Sequence, residues 1–225
     1  MTQVIACSTP EGIALATDSL ATWFDQTGTR KHFNLKKILR LGSHSALVSA
    51  GIGIGVEMGL SFQRFLKDRG AEGIEEIVRL AMPFFNDLYG CYLREKKMAP
   101  FSERRTDEDP DERSPLNGVY LLLAGYSFKD CGQPYHLHLV GSDEEGISIR
   151  IYPVAHTVFI PRSRSMERRF EDERRRGSSL LHLLDVCQTF LKKRSGEEDE
   201  VGPPFYFATI TAAGVQEVMR EGGER

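Results

Sequence analysis

The segment MTQVIACSTPEGIALATDSLAT, residues 1–22, decides the fold that we predict for this chain of 225 residues. It contains two runs of β-branched and small apolar residues, separated by the turn formers Pro10 to Gly12. Such runs around such a turn predict a β-hairpin at the start of the sequence. Thr2 follows Met1 directly, and its small side chain permits the usual aminopeptidase to remove the methionine. We therefore expect a free N-terminal threonine, which would hold a hydroxyl nucleophile and an amine base in one residue.

The composition predicts one globular domain. Apolar residues make up 40% of the 225 residues, which is enough for a sizeable core, and the length lies just above the usual size of a single domain. The net charge is −3, and basic residues are interleaved with acidic ones. Nucleic-acid binding needs a concentrated positive surface, so this distribution argues against it. We expect a single domain over residues 1–225 with no nucleic-acid partner.

The N-terminal region and the cysteines indicate a cytoplasmic protein. No apolar run approaches the roughly 20 residues of a membrane span, and no basic region followed by a hydrophobic stretch and a cleavage site opens the sequence. Cys7, Cys91, Cys131 and Cys187 are scattered without a CxxC pair, which suggests neither a disulfide framework nor a zinc site. We expect reduced thiols, no membrane contact, no metal and no cofactor.

Hydrophobic periodicity divides the rest of the sequence into strands and helices. Alternating apolar residues predict strands, whereas a spacing of three or four residues predicts helices. The polar segment from Trp23 to Arg30 is predicted as a loop or a short hairpin. A helix from Val56 stops at Gly70, and Pro83 predicts a kink or a break in the next helix. The other predicted elements are strands at 37–41, 46–50, 119–124, 136–140, 147–152, 157–160 and 205–210, and helices at 74–92, at 163–176 and after Ser178 and Ser179.

One long segment, at about residues 94–117, lacks periodicity. It contains a dense run of charges at 103–113, so we predict a charged surface loop that is partly disordered. The elements around it follow the order strands, two helices, strands, two helices, strand. Periodicity alone predicts an α+β fold, and the order fits two antiparallel sheets between helical layers.

The sequence resembles the N-terminal threonine hydrolases of the proteasome β-subunit and bacterial HslV type. Chains of that family open with a threonine, run along a strand to a glycine turn, return to Asp-Ser-x-Ala, and then reach a lysine and a small-residue glycine turn. The matching landmarks occur here in the same order: Thr2, Gly12, Asp18 to Ala21, Lys36 to Ile38 and Ser49 to Gly51. Residues 119–146 resemble the central strands of the family, which extends the resemblance over most of the chain.

The resemblance implies a fold, an activity and an assembly. The fold would be the four-layer αββα sandwich of the N-terminal nucleophile hydrolases. The activity would be that of a threonine-type endopeptidase acting on unfolded polypeptides or peptides. Identical subunits would assemble into a ring or a spiral, and the resemblance leaves open whether an ATPase acts as a partner.

The resemblance also implies roles for individual residues in amide-bond hydrolysis. Thr2 would attack the scissile carbonyl, and the Gly51 amide would donate to the oxyanion. The α-amino group of Thr2 is the expected base, because its usual pKa is about 7.7–8.0, against about 10.4 for a lysine. Lys37 would lower the pKa of that amine further. Asp18 would hold the lysine ammonium, since an unpaired buried charge is costly.

Two further catalytic candidates match the family pattern less closely. Ser163 stands where the family has a Ser-Gly-Ser-like loop, but arginines replace the glycines. Glu198 stands near the family's acid, but Val201 takes the place of the serine that follows. These departures suggest a divergent, bacterial proteasome-like branch. The residues implied for the substrate pocket are Ala21, Leu35 and Ser49, of which the small Ser49 would leave a deep and mildly polar space.

Other interpretations of the same residues stay open. Asp18 fits a strand-end turn residue, Lys37 fits one member of an exposed lysine pair, and Gly51 fits a simple turn before a helix. The enzyme could instead be an amidase of the same fold that acts on a small acyl amide. A third interpretation is a catalytically silent scaffold subunit.

Three other motifs carry less weight. Residues 51–55, Gly-Ile-Gly-Ile-Gly, precede a helix as a phosphate loop does, but they lack the spacing of GxGxxG and the lysine of GxxxxGK[ST]. His136 and His138 share a strand face, but no further ligand at a matching spacing completes a metal site. The basic residues 174–176 are offset by the acids at 171–173, which favours a solvated helix face or a subunit contact.

Overall fold

The computed structural model describes residues 2–24, 30–96, 118–143 and 146–220. Within these ranges the chain has a mixed α+β fold. The strands are β1 (Val4–Thr9), β2 (Gly12–Thr17), β3 (Leu20–Phe24), β4 (Arg30–Asn34), β5 (Ile38–Arg40), β6 (Ser45–Gly51), β7 (Val119–Tyr126), β8 (Tyr135–Ser142), β9 (Ile149–Tyr152), β10 (Thr157–Ile160), β11 (Tyr206–Thr211) and β12 (Gly214–Glu217), and the helices are α1 (Ile54–Arg69), α2 (Ile74–Lys96), α3 (Arg164–Arg175) and α4 (Leu180–Glu197).

The strands form two five-stranded antiparallel sheets and a separate hairpin. The N-terminal sheet has the order β10-β1-β2-β11-β12, and the central sheet has the order β5-β6-β7-β8-β9. The hairpin consists of β3 and β4. β1 and β2 form the hairpin that the opening sequence predicts, and their register pairs Val4 with Thr17. This register brings the residues just before β1 next to those just after β2.

Three hydrophobic clusters hold these elements together. The first lies between the two sheets and combines Val4 and Leu15 of the N-terminal sheet with Val48 and Leu122 of the central sheet. In the second, α1 and α2 cover the central sheet, and in the third, α3 and α4 cover the N-terminal sheet. Each strand that takes part alternates its side chains between an inter-sheet face and a helix-covered face, as strand geometry requires. Strands from both sides of residues 97–117 therefore share one inter-sheet core.

Helix α2 differs from its prediction. It runs from Ile74 to Lys96 through Pro83, so of the predicted kink or break, the break does not occur. Proline removes one backbone hydrogen bond, but burial of Ile77, Ala81 and Phe85 against the central sheet stabilises the helix on both sides of it. The helix therefore extends into the segment at about 94–117 that was predicted as a loop, and residues 97–117 of that segment lie outside the described residues.

Other boundaries agree with the sequence more closely. α1 ends at Gly70, which adopts the left-handed conformation at φ 65°, as expected of a glycine after a helix. The Ser179 side chain caps α4 by accepting a hydrogen bond from the His182 amide. The segment predicted as a loop or a short hairpin contributes to β3 and β4, and its residues 25–29 lie outside the described residues. The short strand β12 was not predicted, because Val215 is its only apolar residue.

None of the helices in the described ranges combines the length and the apolar character that crossing a bilayer requires.

Candidate active site

The register of the β1–β2 hairpin places Asp18 beside the N-terminal residues. Asp18 follows β2, and its amide donates to the Gln3 carbonyl at 3.3 Å. In return, the Gln3 amide donates to Asp18 Oδ1 at 2.8 Å, and the Leu20 amide donates to Asp18 Oδ2 at 3.0 Å. Asp18 is fully buried, so these hydrogen bonds replace the water that the carboxylate loses. They also fix Gln3, and with it the position of Thr2.

Lys37 reaches this carboxylate from the start of the central sheet. It precedes β5, and its carbonyl accepts a hydrogen bond from the Ser49 amide of β6 at 3.1 Å. Its Nζ lies 2.9 Å from Asp18 Oδ1, 2.8 Å from the Leu20 carbonyl oxygen and 3.2 Å from Thr2 Oγ1. The structure thus brings Thr2, Asp18 and Lys37 together.

The three oxygens around Nζ match the three donors of a protonated Lys37. An ammonium has three N–H donors and no acceptor, so a carboxylate, a carbonyl and a hydroxyl oxygen satisfy it completely. Burial lowers the pKa of Lys37, and the charge and hydrogen bond of Asp18 act against that shift. Burial likewise raises the pKa of Asp18, and Lys37 together with the backbone amides opposes the rise. In this geometry a protonated Lys37 donates a hydrogen bond to the Thr2 hydroxyl oxygen at 3.2 Å.

The neighbouring lysine has a different environment. Lys36 is exposed and forms an ion pair of 2.5 Å with Glu217 of β12. Lys37, by contrast, is only 3% exposed. Of the two lysines in sequence, Lys37 is the one that lies at Thr2.

Gly51 ends β6, two residues beyond the Ser49 amide that bonds to Lys37. Its φ is 87°, and a Cβ at this position would lie 2.0 Å from the Gly118 carbonyl oxygen. A side chain is therefore excluded for two independent reasons, the backbone angle and the close approach of a second backbone segment. The requirement for glycine is a backbone requirement, and it is compatible with the proposed role of the Gly51 amide as an oxyanion donor.

In the described ranges, the contacts of Ser163 and Glu198 are with residues other than Thr2, Asp18 and Lys37. Ser163 is the N-cap residue of α3, and its hydroxyl lies 3.4 Å from that of Ser165. The pairing of Val4 with Ile160 brings the segment after β10 toward the Thr2 end of β1. Glu198 forms an ion pair with Arg194, and its Oε2 is buried without a hydrogen-bond partner in the described part of the chain.

The three residues predicted to line the substrate pocket have different environments. The Leu35 amide donates to the Ser19 carbonyl at 2.8 Å, and Ala21 is in β3 next to it. Both side chains are half-buried. Ser49 is 2% exposed, and its hydroxyl lies 2.9 Å from the position that a Cβ on Gly55 would occupy. The Ser49 hydroxyl is therefore packed against the start of α1.

Some of the groups that build the site were not predicted. The Leu20 carbonyl holds Lys37, and the Gly202 carbonyl accepts hydrogen bonds from the Ser19 amide at 3.3 Å and the Ser19 hydroxyl at 3.4 Å. The Gly202 contact joins the segment after α4 to the residue next to Asp18. Backbone carbonyls occur at every position of a sequence, so only the folded arrangement distinguishes these two.

The histidine pair lies elsewhere, on β8. The rings of His136 and His138 stack at 6.0 Å, and Asp130 lies 3.6 Å from His136. Burial, together with the charge of His136, lowers the pKa of His138. Among the described residues, no group of three or more histidine, cysteine, aspartate or glutamate side chains is arranged to hold a metal ion.

No protein-family model matches this sequence, and a search of curated proteins gives no significant match.

Proposed function

We propose that this protein is an amide-bond hydrolase in which Thr2, as the first residue of the mature chain, is the nucleophile, and that it acts as a threonine-type endopeptidase of the proteasome-like type. The observation that carries the proposal is the contact of the Lys37 ammonium with the Thr2 hydroxyl at 3.2 Å, at a buried position held by Asp18. A buried lysine that donates to a hydroxyl is costly to build. It lowers the energy of an alkoxide at that oxygen, which is what acyl transfer requires.

In this proposal, Thr2 Oγ attacks the carbonyl carbon of the scissile amide, and its proton passes to the Thr2 α-amino group. Lys37 keeps its proton, because all three of its donors have acceptors, and its charge favours the neutral form of the amine. The Gly51 amide stabilises the oxyanion. The proton returns to the leaving amine, and a water molecule then hydrolyses the threonine ester, which restores the hydroxyl.

The arrangement of the three hydrophobic clusters supports a specific architecture. One cluster lies between the sheets, and each sheet has a helical pair against its other side. We propose that this is the four-layer αββα sandwich of the N-terminal nucleophile hydrolases. We also propose that identical subunits assemble into a ring or a spiral, which sedimentation velocity on the purified protein would test directly.

The test of the chemistry uses a peptide boronate or an epoxyketone directed at threonine. The expected result is one adduct, mapped by mass spectrometry to Thr2, on a chain that lacks Met1. Thr2→Ala should abolish the adduct, whereas Thr2→Ser should retain it, because serine keeps both the hydroxyl and the amine. A chain that keeps Met1 and forms no adduct would contradict the proposal and favour a silent scaffold subunit.

A peptide library separates the endopeptidase from an amidase. Cleavage within longer peptides is the expected result. Release of acyl groups from small amides, with longer peptides left intact, would instead identify an amidase that uses the same nucleophile.

A further inference from the structure

The ring of Tyr120 lies on three glycines from three neighbouring parts of the central sheet. A Cβ on Gly118 would lie 3.1 Å from Tyr120 Cε2, one on Gly141 would lie 3.0 Å from Cδ1, and one on Gly51 would lie 3.3 Å from Cδ2. The ring is the nearest obstacle to a side chain at Gly141, and at Gly118 and Gly51 it lies just beyond the Ser142 hydroxyl and the Gly118 carbonyl. Contacts of this kind fix an aromatic ring and the backbone beneath it at the same time.

The position of Tyr120 in the sheet explains why it reaches Gly51. In the register of the central sheet, Tyr120 of β7 is paired with Ala50 of β6 on one side and with Gly141 of β8 on the other. Ala50 belongs to the inter-sheet cluster, and Tyr120 packs against that cluster while remaining half-buried. Its ring thus lies on the inter-sheet face of the central sheet, next to the residue that precedes Gly51.

Backbone hydrogen bonds around Gly118 also restrain the turn at Gly51. The Ile52 amide donates to the Gly118 carbonyl at 3.0 Å, and the neighbouring Val119 amide donates to Ser142 Oγ at 3.2 Å. Gly118 is therefore anchored to β8 on one side and to the turn at Gly51 on the other. With the ring of Tyr120 against Gly51 and Gly118, backbone contacts and an aromatic face together restrict the turn.

We propose that Tyr120 is a positioning residue that fixes the direction of the Gly51 amide, an inference that rests on the proposed function. Glycine is conformationally permissive, so a donor amide at Gly51 needs an external constraint to stay aimed at one point. An oxyanion donor is effective only when it is oriented before the reaction, because reorganisation during the reaction costs rate. The ring of Tyr120 supplies this constraint without touching substrate.

The chain offers a matched control for the test. Tyr126 lies at the other end of β7, on the same face, and is likewise half-buried against the inter-sheet cluster. The kinetic experiment compares Tyr120→Ala, Tyr120→Phe and Tyr126→Ala on a peptide substrate. Tyr120→Ala should lower kcat by about 10- to 100-fold, in the range expected for a misplaced catalytic group, with KM changed less than about twofold.

The other two variants identify the cause of that loss. Tyr120→Phe should stay near wild type, because the contacts with the glycines involve ring carbons and not the hydroxyl. Tyr126→Ala should retain kcat even if it lowers stability. A loss in Tyr120→Ala that appears only in KM, or an equal loss of kcat in Tyr126→Ala, would overturn the positioning role.

A second measurement does not depend on catalysis. Amide hydrogen exchange at Ile52, whose amide donates to the Gly118 carbonyl, followed by NMR in the Thr2→Ala background, should accelerate at least about tenfold in Tyr120→Ala relative to Tyr126→Ala. Unchanged exchange would overturn the inference, even if the wild-type protein is an active hydrolase. If the wild-type protein hydrolyses nothing, the proposed function fails, and the exchange data still decide whether Tyr120 holds the turn.

Discussion

The ammonium nitrogen of Lys37 lies 3.2 Å from the hydroxyl oxygen of Thr2, although 34 residues separate them in the sequence. Thr2 lies just before β1 of the N-terminal sheet, and Lys37 lies just before β5 of the central sheet, so the contact joins the two sheets. Lys37 is 3% exposed, so its charge is screened little by solvent and acts strongly on its neighbours. We therefore expect both the stability of this end of the molecule and the proposed chemistry to depend on one buried cation.

Lys37→Met should abolish hydrolysis and lower the free energy of unfolding by about 3–5 kcal/mol, because it leaves the buried Asp18 carboxylate without its counter-charge. Urea unfolding and peptide hydrolysis measure the two effects. The matched control is Lys36→Met, which removes an exposed ion pair with Glu217 and should change stability by at most about 1 kcal/mol.

The double variant Asp18→Asn with Lys37→Met checks the cause of the destabilisation. It removes both charges, so it should be more stable than Lys37→Met alone while remaining inactive. Equal effects of Lys36→Met and Lys37→Met would contradict the assignment of the buried pair.

Gly51→Ala should be strongly destabilising and inactive. Its φ of 87° disfavours any side chain, at about 1–3 kcal/mol, and the contact with the Gly118 carbonyl adds to that cost. Gly53→Ala is the control, because Gly53 has a φ of −55° and no atom within 4 Å of the Cβ position. It should change the free energy of unfolding by less than about 1 kcal/mol. Comparable losses in both variants would show that the two positions do not differ as the structure describes.

The ionised Glu171 side chain should stabilise the fold at neutral pH and lose this contribution in acid. Hydrogen bonds from Arg174, reinforced by that residue's charge and by Arg175, lower the pKa of the Glu171 carboxyl from 4.5 to about 2. The folded state binds this proton less readily than the unfolded state. The contribution is therefore complete above the unfolded pKa of 4.5 and is lost as the pH falls toward about 2. The ion pairs lie at the surface, so the effect should not exceed about 1 kcal/mol.

Urea unfolding of wild type and Glu171→Gln at about pH 6 and about pH 2.5 measures this contribution. The difference in unfolding free energy between the two proteins should shrink at the lower pH. A difference that grows on acidification would reverse the sign of the predicted linkage.

Glu198 and Arg194 should behave as a coupled pair. Their side chains are 23% and 30% exposed, so a double-mutant cycle with Glu198→Gln and Arg194→Met should give a coupling energy of about 1 kcal/mol. If Glu198 also takes part in catalysis, Glu198→Gln should lower kcat more than Arg194→Met does. Equal kcat values for the two variants would limit the role of Glu198 to stabilising the end of α4.

Much of the fold could be predicted from periodicity and turn residues. The β1–β2 hairpin, the stop of α1 at Gly70 and the cap of α4 at Ser179 each depend on local chemistry, which a sequence displays directly. Pro83 is a position at which the break expected from local sequence alone does not occur. A proline that breaks an isolated helix is tolerated in α2, because a buried face packs against the central sheet and outweighs one missing hydrogen bond.

The site was predictable to the extent that it consists of side chains in a known order. Thr2, Asp18 and Lys37 were identified in this way, and the structure brings them together. The carbonyls of Leu20 and Gly202 were not, because a backbone oxygen has no sequence signature. The contact of Gly51 with Gly118 was also unpredictable, since it depends on the register between β6 and β7.

The paired hydrogen bonds between Gln3 and Asp18 fix the position of Gln3, and with it the distance from Thr2 to Lys37. One residue inserted before Gln3 would move the hydroxyl by about 3.3 Å and turn it to the opposite side of the strand. A purification tag retained ahead of Thr2 would acylate the amine that the chemistry requires. Recombinant material for any assay therefore needs its affinity tag at the C-terminus, and in the proposed mechanism removal of the leading methionine would be the step that activates the protein.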